Sequence, residues 1–320
     1  MCQGAATVRA GGWSEGAVGA TSGLVVGGGA AAARDPGLVR VRRGAYVGRE
    51  HWDGLGGDER YLLVVQATAA VAAGRPLVSH WSAAAVWGLP TVGRPDERVH
   101  LTVPAAPGGR SARGVVRHTR SGARSEDRAG GLRVTGVART VVDLARVGGL
   151  ASGLVAADAA LRAGMTSSDE IAREVAAVGS GRGALAARTL ARLADGACES
   201  PGESLSRARM HEHGLPAPVL QRELFDDRGF VARVDFWWPD HGVVGEFDGK
   251  VKYGGAGGEA LWREKLREDR LRSLVRAVAR WTWQDAMRGG PMADTLHRAG
   301  VRPRARTHPT GPRSTADVRV

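Results

Sequence analysis

Apolar residues recur with two different periods along this chain, and the switch between them divides it. In 38–47, apolar positions alternate with Arg40, Arg42 and Arg43 around Gly44, the pattern of a short β-hairpin with a tight turn. Residues 58–73 and 79–87 carry helical spacing, the second run stopped by Gly88-Leu89-Pro90. Strand character appears at 99–103 and 114–120, on either side of a Gly/Pro/Arg loop at 104–113. Helical periods then fill 135–146, 150–163, 168–178 and 183–194, up to a break at Asp195-Gly196.

After residue 200 the pattern becomes one of explicit strands with aromatic residues and charges at fixed positions. Ser200-Pro-Gly-Glu203 opens a helix that runs through Met210, with the spacing of a capping box. Strict alternation over 231–238 puts Arg233, Asp235 and Trp237 on one face and Val234, Phe236 and Trp238 on the other. With 239–242 as the connection, Trp238 pairs with Val243, Asp235 comes opposite Glu246, and Arg233 opposite Asp248. A Gly-rich loop at 254–258, a charged helix at 261–272 and a closing strand at 276–283 follow. Helix, strand, strand, helix, strand is enough for a small α/β sandwich around one mixed sheet.

Two stretches resist assignment. Residues 1–34 hold neither period, and 23–33 have too little bulk to bury and too much Gly to hold a helix. Residues 301–320 carry five Arg and three Pro against one acid, the composition of a flexible basic tail.

Composition adds a partner class. The 320-residue chain has a formal net charge of +12, and its cations are overwhelmingly Arg, which grips phosphate bidentately. An Arg-, Ala- and Gly-enriching genome gives the same excess without any anionic partner. Two cysteines, Cys2 and Cys198, belong to no Cys/His cluster, which speaks against a zinc site or a disulfide framework and fits a cytoplasmic protein. No apolar run reaches 18 residues, so a transmembrane segment is not expected.

The candidate chemistry centres on Asp235 and Glu246. Directly opposed residues on antiparallel strands hold their Cβ atoms roughly 5 Å apart, and two like charges there repel unless a cation lies between them. A divalent metal such as Mg²⁺ is held by one or two carboxylates together with waters and phosphates. Glu203 has two readings, as the capping-box partner of Ser200 or as a helix-borne carboxylate aimed at the metal. Arg233 with Asp248 reads as a cross-strand ion pair. The charges of 261–272, Lys265 among them, read mainly as a solvated helix face. His80 and Trp81 read as a packed helix start, and Arg139 with Asp143 as a structural i,i+4 pair.

Four runs carry a family resemblance: Glu-Ser-Pro-Gly-Glu-Ser-Leu-Ser-Arg (199–207), Arg-Val-Asp-Phe-Trp-Trp-Pro (233–239), Gly-Glu-Phe-Asp-Gly-Lys-Val-Lys-Tyr-Gly (245–254) and Arg-Trp-Thr-Trp (280–283). Together they resemble the Vsr-like domain of the PD-(D/E)xK restriction-endonuclease superfamily, found in actinobacterial proteins. Upstream, the runs at 41–47, 79–90 and 138–146 resemble the AbiEi-type antitoxin-like region that often precedes it. The resemblance implies an endonuclease-like core acting on DNA, in which Asp235 and Glu246 hold Mg²⁺ (or Mn²⁺) with Glu203 as helper. The superfamily pattern places a Lys two residues after the second acid. Asp248 stands at that position here, and Lys250 or Lys252 follows to supply the positive charge. The antitoxin-like half implies a winged-helix contact to DNA through Arg40, Arg42 and Arg43, and a protein partner of the toxin-antitoxin kind. A non-catalytic DNA-binding regulator is the alternative to a nuclease.

The expected organisation is therefore a degenerate N-terminus at 1–34, a partial winged-helix-like region at 35–90 and a mixed α+β antitoxin-like region at 91–195. An endonuclease-like domain at 196–290, with a mixed sheet flanked by helices, and a basic tail at 291–320 complete it. Arg233 and Lys265 are its further candidates for touching DNA.

Overall fold

The protein is a mixed α/β molecule, and its computed structural model describes residues 23–27, 29–74, 76–94, 97–103, 114–119, 125–249 and 258–302. It divides into two compact units, 1–208 and 209–320.

The first unit begins with β1 (Val25–Val26), α1 (Gly29–Arg34), β2 (Leu38–Arg42) and β3 (Ala45–Gly48). The last two form the hairpin that the alternation predicts, turning at Gly44 with φ 81° and pairing Val39 with Val47. β1 adds to β3, so the sheet order is β1-β3-β2. Helices α2 (Arg49–Gly54) and α3 (Gly57–Val71) follow. A second, mixed sheet is built from β4 (Leu77–Val78), β5 (Val99–Val103), β6 (Val115–Thr119), β7 (Glu126–Ala129) and β8 (Leu132–Thr135), in the order β6-β5-β4-β8-β7. Helix α4 (His80–Trp87) leaves β4 and stops at Gly88, whose φ of 68° only Gly adopts without strain. Tyr61, Val65, Val78, Ala83, Val86, Val99, Leu101 and Val134 make one core that joins α3 and α4 to this sheet.

Four helices continue the unit: α5 (Val137–Gly148), α6 (Leu150–Arg162), α7 (Ser168–Val178) and α8 (Ala184–Leu193). A buried charge network ties them to α9 (Pro201–Glu212). Arg207 donates through Nη1 to Asp158 Oδ2 at 2.9 Å, and Arg162 donates to the Cys198 carbonyl. Asp158 is fully buried, and burial pushes its carboxyl up to about 6 against the pull of Arg207. Cys198 is buried beside it, its thiol pushed up to about 12, first by burial and then by the Asp158 charge.

The boundary between the units falls inside α9, between Ala208 and Arg209. The second unit contains β9 (Val219–Asp226), β10 (Gly229–Trp238), a 3-10 turn at Pro239–His241, β11 (Val243–Asp248), α10 (Gly258–Leu274), β12 (Ala277–Thr282), α11 (Trp283–Arg288) and α12 (Gly290–Ala299). Its mixed sheet runs β12-β11-β10-β9, with β11 and β12 parallel and the other neighbours antiparallel. Along β10, Val234, Phe236 and Trp238 are buried, Asp235 and Trp237 half-buried, and Arg233 exposed, the alternation expected of a one-sided strand. Phe236 stacks on Trp281 with ring centroids 5.3 Å apart.

The structure departs from the expected organisation in several places. Gly29–Arg34 is helical, though none of its residues is buried. Elements β4, β7, β8 and α2 are not foreseen because they are short or polar, and β9 because its apolar residues do not alternate. Part of the stretch assigned to a basic tail is α12, which buries Met292, Ala293 and Leu296. Its apolar face is hidden in sequence by neighbouring Gly, Pro and Arg. Residues 1–22, the 104–113 loop and 303–320 lie outside the described residues.

Candidate functional site

The hairpin register is the one the spacing predicts: Trp238 pairs with Val243, Trp237 with Val244 and Phe236 with Gly245. The regular pairing stops at Phe236 and Gly245, one step short of the expected pair Asp235 and Glu246. There the ladder changes character, because Asp235 Oδ2 accepts the Phe247 N–H at 2.9 Å. A side-chain oxygen thus takes an amide that a strand carbonyl would otherwise take.

Glu246 lies in parallel register with Arg280 of β12. Arg280 donates through Nε to Glu246 Oε2 at 2.8 Å and through Nη1 to Glu268 Oε1 at 3.0 Å. Arg272 donates to the same Glu268 oxygen at 2.7 Å. Burial opposes the Arg280 charge, but hydrogen bonds and charge from Glu246 and Glu268 outweigh it and raise the guanidinium. The hydrogen bond from Arg280 leads in holding Glu268 below the usual carboxylate range. The result is a four-membered chain, Glu246–Arg280–Glu268–Arg272, at the edge of the sheet.

The other predicted residues are spread more widely. Asp248 is exposed at the end of β11, in register with Thr282. Arg233 is exposed and in register with Glu223 of β9. Lys265 is exposed on α10, its ammonium 5.7 Å from the Trp262 ring centroid. Lys250 and Lys252 lie outside the described residues. Glu203 realises its capping alternative: Ser200 Oγ donates to Glu203 Oε1 at 2.6 Å, and Glu199 N–H to Oε2 at 3.0 Å. Both Glu203 oxygens thus accept hydrogen bonds at its own helix start, where the helper reading would have them face a metal. In the first unit Arg40 and Arg43 are exposed, but Arg42 is turned inward, donating to Thr68 Oγ1 at 2.7 Å and to the Gly114 carbonyl at 3.0 Å. Arg42 is therefore an internal tie between β2, α3 and the start of β6.

Among the described residues no group of three or more His, Cys, Asp or Glu is arranged to hold a metal. Asp235 and Glu246 alone offer two hard oxygen donors, a set suited to a cation that keeps most of its waters. Asp235 Oδ2 is taken by Phe247 N–H and Glu246 Oε2 by Arg280, so an ion there would have to share these carboxylates with them.

Two features escape a reading of the sequence. Arg280 belongs to a noted motif, yet only a parallel pairing with a strand 34 positions away brings it to Glu246. The second is a histidine cluster in the first unit. His80 stacks on His118 with ring centroids 3.6 Å apart, and His100 Nδ1 lies 2.9 Å from His118 Nε2. His80 Nδ1 also meets Ser79 Oγ at 2.9 Å. Burial, then the neighbouring His118 and His100, hold His80 well below the usual imidazole range, and burial lowers His118 to about 4. The packed helix start expected of His80 and Trp81 is what the structure has, since both are buried. His100 and His118 give no local signal, being single polar residues on separate strands.

No family model matches the chain, and no solved structure matches it. It is 34% identical over 241 residues to "Uncharacterized protein Rv2248" of Mycobacterium tuberculosis strain ATCC 25618 / H37Rv, covering 75% of this chain and 84% of that protein. The same figures hold for "Uncharacterized protein MT2308" of strain CDC 1551 / Oshkosh.

Proposed function

We propose that this chain, which belongs to the family of the mycobacterial proteins Rv2248 and MT2308, is a DNA-acting, endonuclease-like protein of the cytoplasm. The observation that carries this reading is the placing of Asp235 and Glu246 on the adjacent strands β10 and β11, with the Asp235 carboxylate bonded to the Phe247 amide just past the last paired residues. The Vsr-like resemblance of 199–283 supports the same reading.

In it, Asp235 and Glu246 hold Mg²⁺ or Mn²⁺, which when bound supplies Lewis-acid polarisation of a phosphate oxygen and acidifies a water. Phe247 N–H fixes the Asp235 rotamer, so that one carboxylate is positioned before any ligand arrives. Arg280 supplies positive charge beside Glu246, where the superfamily pattern has a lysine and this chain has Asp248. Arg280 already divides its charge between Glu246 and Glu268, so a phosphodiester would compete with these two carboxylates for it.

Cleavage of supercoiled plasmid with Mg²⁺ or Mn²⁺ tests the reading. Asp235→Asn and Glu246→Gln should each lower the rate by at least about 100-fold. Equal background nicking by wild type and both variants would sink it.

A second reading, a non-catalytic DNA-binding regulator of the type IV antitoxin kind, is favoured by the Arg280 clasp on Glu246, which satisfies that acid without a metal. It expects mobility shift of duplex DNA in EDTA that survives Glu246→Gln. A shift abolished by EDTA would argue against it.

A further inference from the structure

The first unit contains a cleft of about 510 Å³ between α2, α3 and the ends of β5 and β6. Its size lies in the range that holds a single small-molecule ligand. Trp52 and Val64 give it an apolar wall, Tyr61 lies beneath, 2% exposed with the Arg94 guanidinium 4.2 Å over its ring, and Arg42, Arg60 and Arg98 line it. Glu97 is the acid on its lining, and Arg94 engages that carboxylate at 2.9 Å. The bonds of Arg42 and Arg60 go to neutral oxygens.

The aromatic and cationic groups are held in place from behind. Tyr61 Oη lies 2.8 Å from Ser82 Oγ and donates to the Arg98 carbonyl at 3.0 Å, which fixes the ring. Arg60 donates through Nε to the Trp52 carbonyl at 3.0 Å, and its guanidinium carbon lies 5.4 Å from the Trp52 ring centroid. Arg42 is bonded to a hydroxyl and a carbonyl, both neutral acceptors. A guanidinium has five N–H donors, and these bonds engage two of them. Burial lowers the Arg42 pKa, the mark of a cation drawn out of water.

Planar apolar surface beside arginines suits a ligand with a flat ring and an anionic group. Aromatic side chains stack bases irrespective of sequence, and guanidinium forks match phosphate oxygens. A purely anionic ligand would leave the Trp52 ring unused, and a purely apolar one would strand the arginines. We infer that this cleft binds a nucleoside phosphate, free or as one unit of a single strand, through Trp52 and the arginines beside it. The inference stands on the first unit alone and does not need the second unit to cut DNA.

Full-length protein in EDTA, titrated against a fluorescent thymidine octanucleotide, tests it. Trp52→Leu should weaken binding about tenfold and Trp52→Phe should keep it, as stacking requires. An abasic octamer of the same length should bind about as weakly as the thymidine octamer binds Trp52→Leu. Competition by thymidine monophosphate assigns the site to free nucleotides. Binding of the octamer without such competition assigns it to strands, and either result upholds the inference. Equal binding of abasic and thymidine octamers to wild type overturns it, even if Trp52→Leu fails to fold. An unchanged affinity in a folded Trp52→Leu protein does so as well. Because EDTA removes any metal-dependent cleavage, the outcome is separate from that of the plasmid assay.

Discussion

His118 illustrates how a single side chain can carry a pH dependence. Its imidazole, lowered to about 4 by burial, is neutral in the folded protein down to that pH, whereas in the unfolded chain it takes a proton near 6.5. The unfolded state therefore binds more protons between about 6.5 and about 4, and stability is lost as pH falls through that window. His80, facing His118, His100, Arg139 and Arg146, is shifted in the same direction. Asp143 and Asp158 work the other way: burial raises each to about 6, so their contribution declines as pH rises from about 4 to about 6. A comparison of variants removes that common background. Denaturant midpoints of wild type and His118→Gln should diverge with pH, the wild type losing more stability from pH 6.5 to 4. Parallel curves would mean that His118 is solvated and titrates normally.

At the scale of elements, the close approach of β11 to its neighbours rests on a residue without a side chain. A Cβ added at Gly245 would lie 2.7 Å from Trp281 Cη2 and 2.9 Å from Trp238 Cζ3, and both rings are buried. Gly245→Ala should cost about 1–3 kcal/mol in a denaturant titration, because neither tryptophan can yield without repacking. A loss within about 0.5 kcal/mol, the range of inert surface changes, would contradict this packing. The elements also divide by how local their cause is. Helices α3 to α9 and the β10–β11 register were legible because caps, Gly stops and strict alternation are written in adjacent residues. Strands β7 and β9 were not: the Glu126–Ala129 run is polar and mostly exposed, and β9 takes its pairing from β10 rather than from its own pattern. The same divide runs through the candidate site. That Asp235 and Glu246 lie on neighbouring strands follows from a hairpin, while the Arg280 clasp needs a parallel pairing that local sequence does not encode.

On the scale of the whole molecule, the net charge of +12 is spread over both units, and Arg40, Arg43, Arg233 and Lys265 are all exposed. If DNA is held through such cations, counterion release makes its affinity fall steeply with salt. Duplex affinity should drop by about 1000-fold or more between about 50 mM and about 200 mM salt if six or more phosphates are contacted. A flat salt titration by fluorescence anisotropy would remove phosphate contact as the basis of binding. No helix among the described residues is long and apolar enough to cross a membrane.

The Cys198 thiol, buried against Asp158 and pushed up to about 12, has a further consequence. Thiolate is the form that attacks disulfides and electrophiles, and at neutral pH this sulfur is almost wholly in the other form. While the junction of α8 and α9 stays closed, oxidants and alkylating agents meet a chemically inert atom there. Its reactivity then records how often that junction breathes.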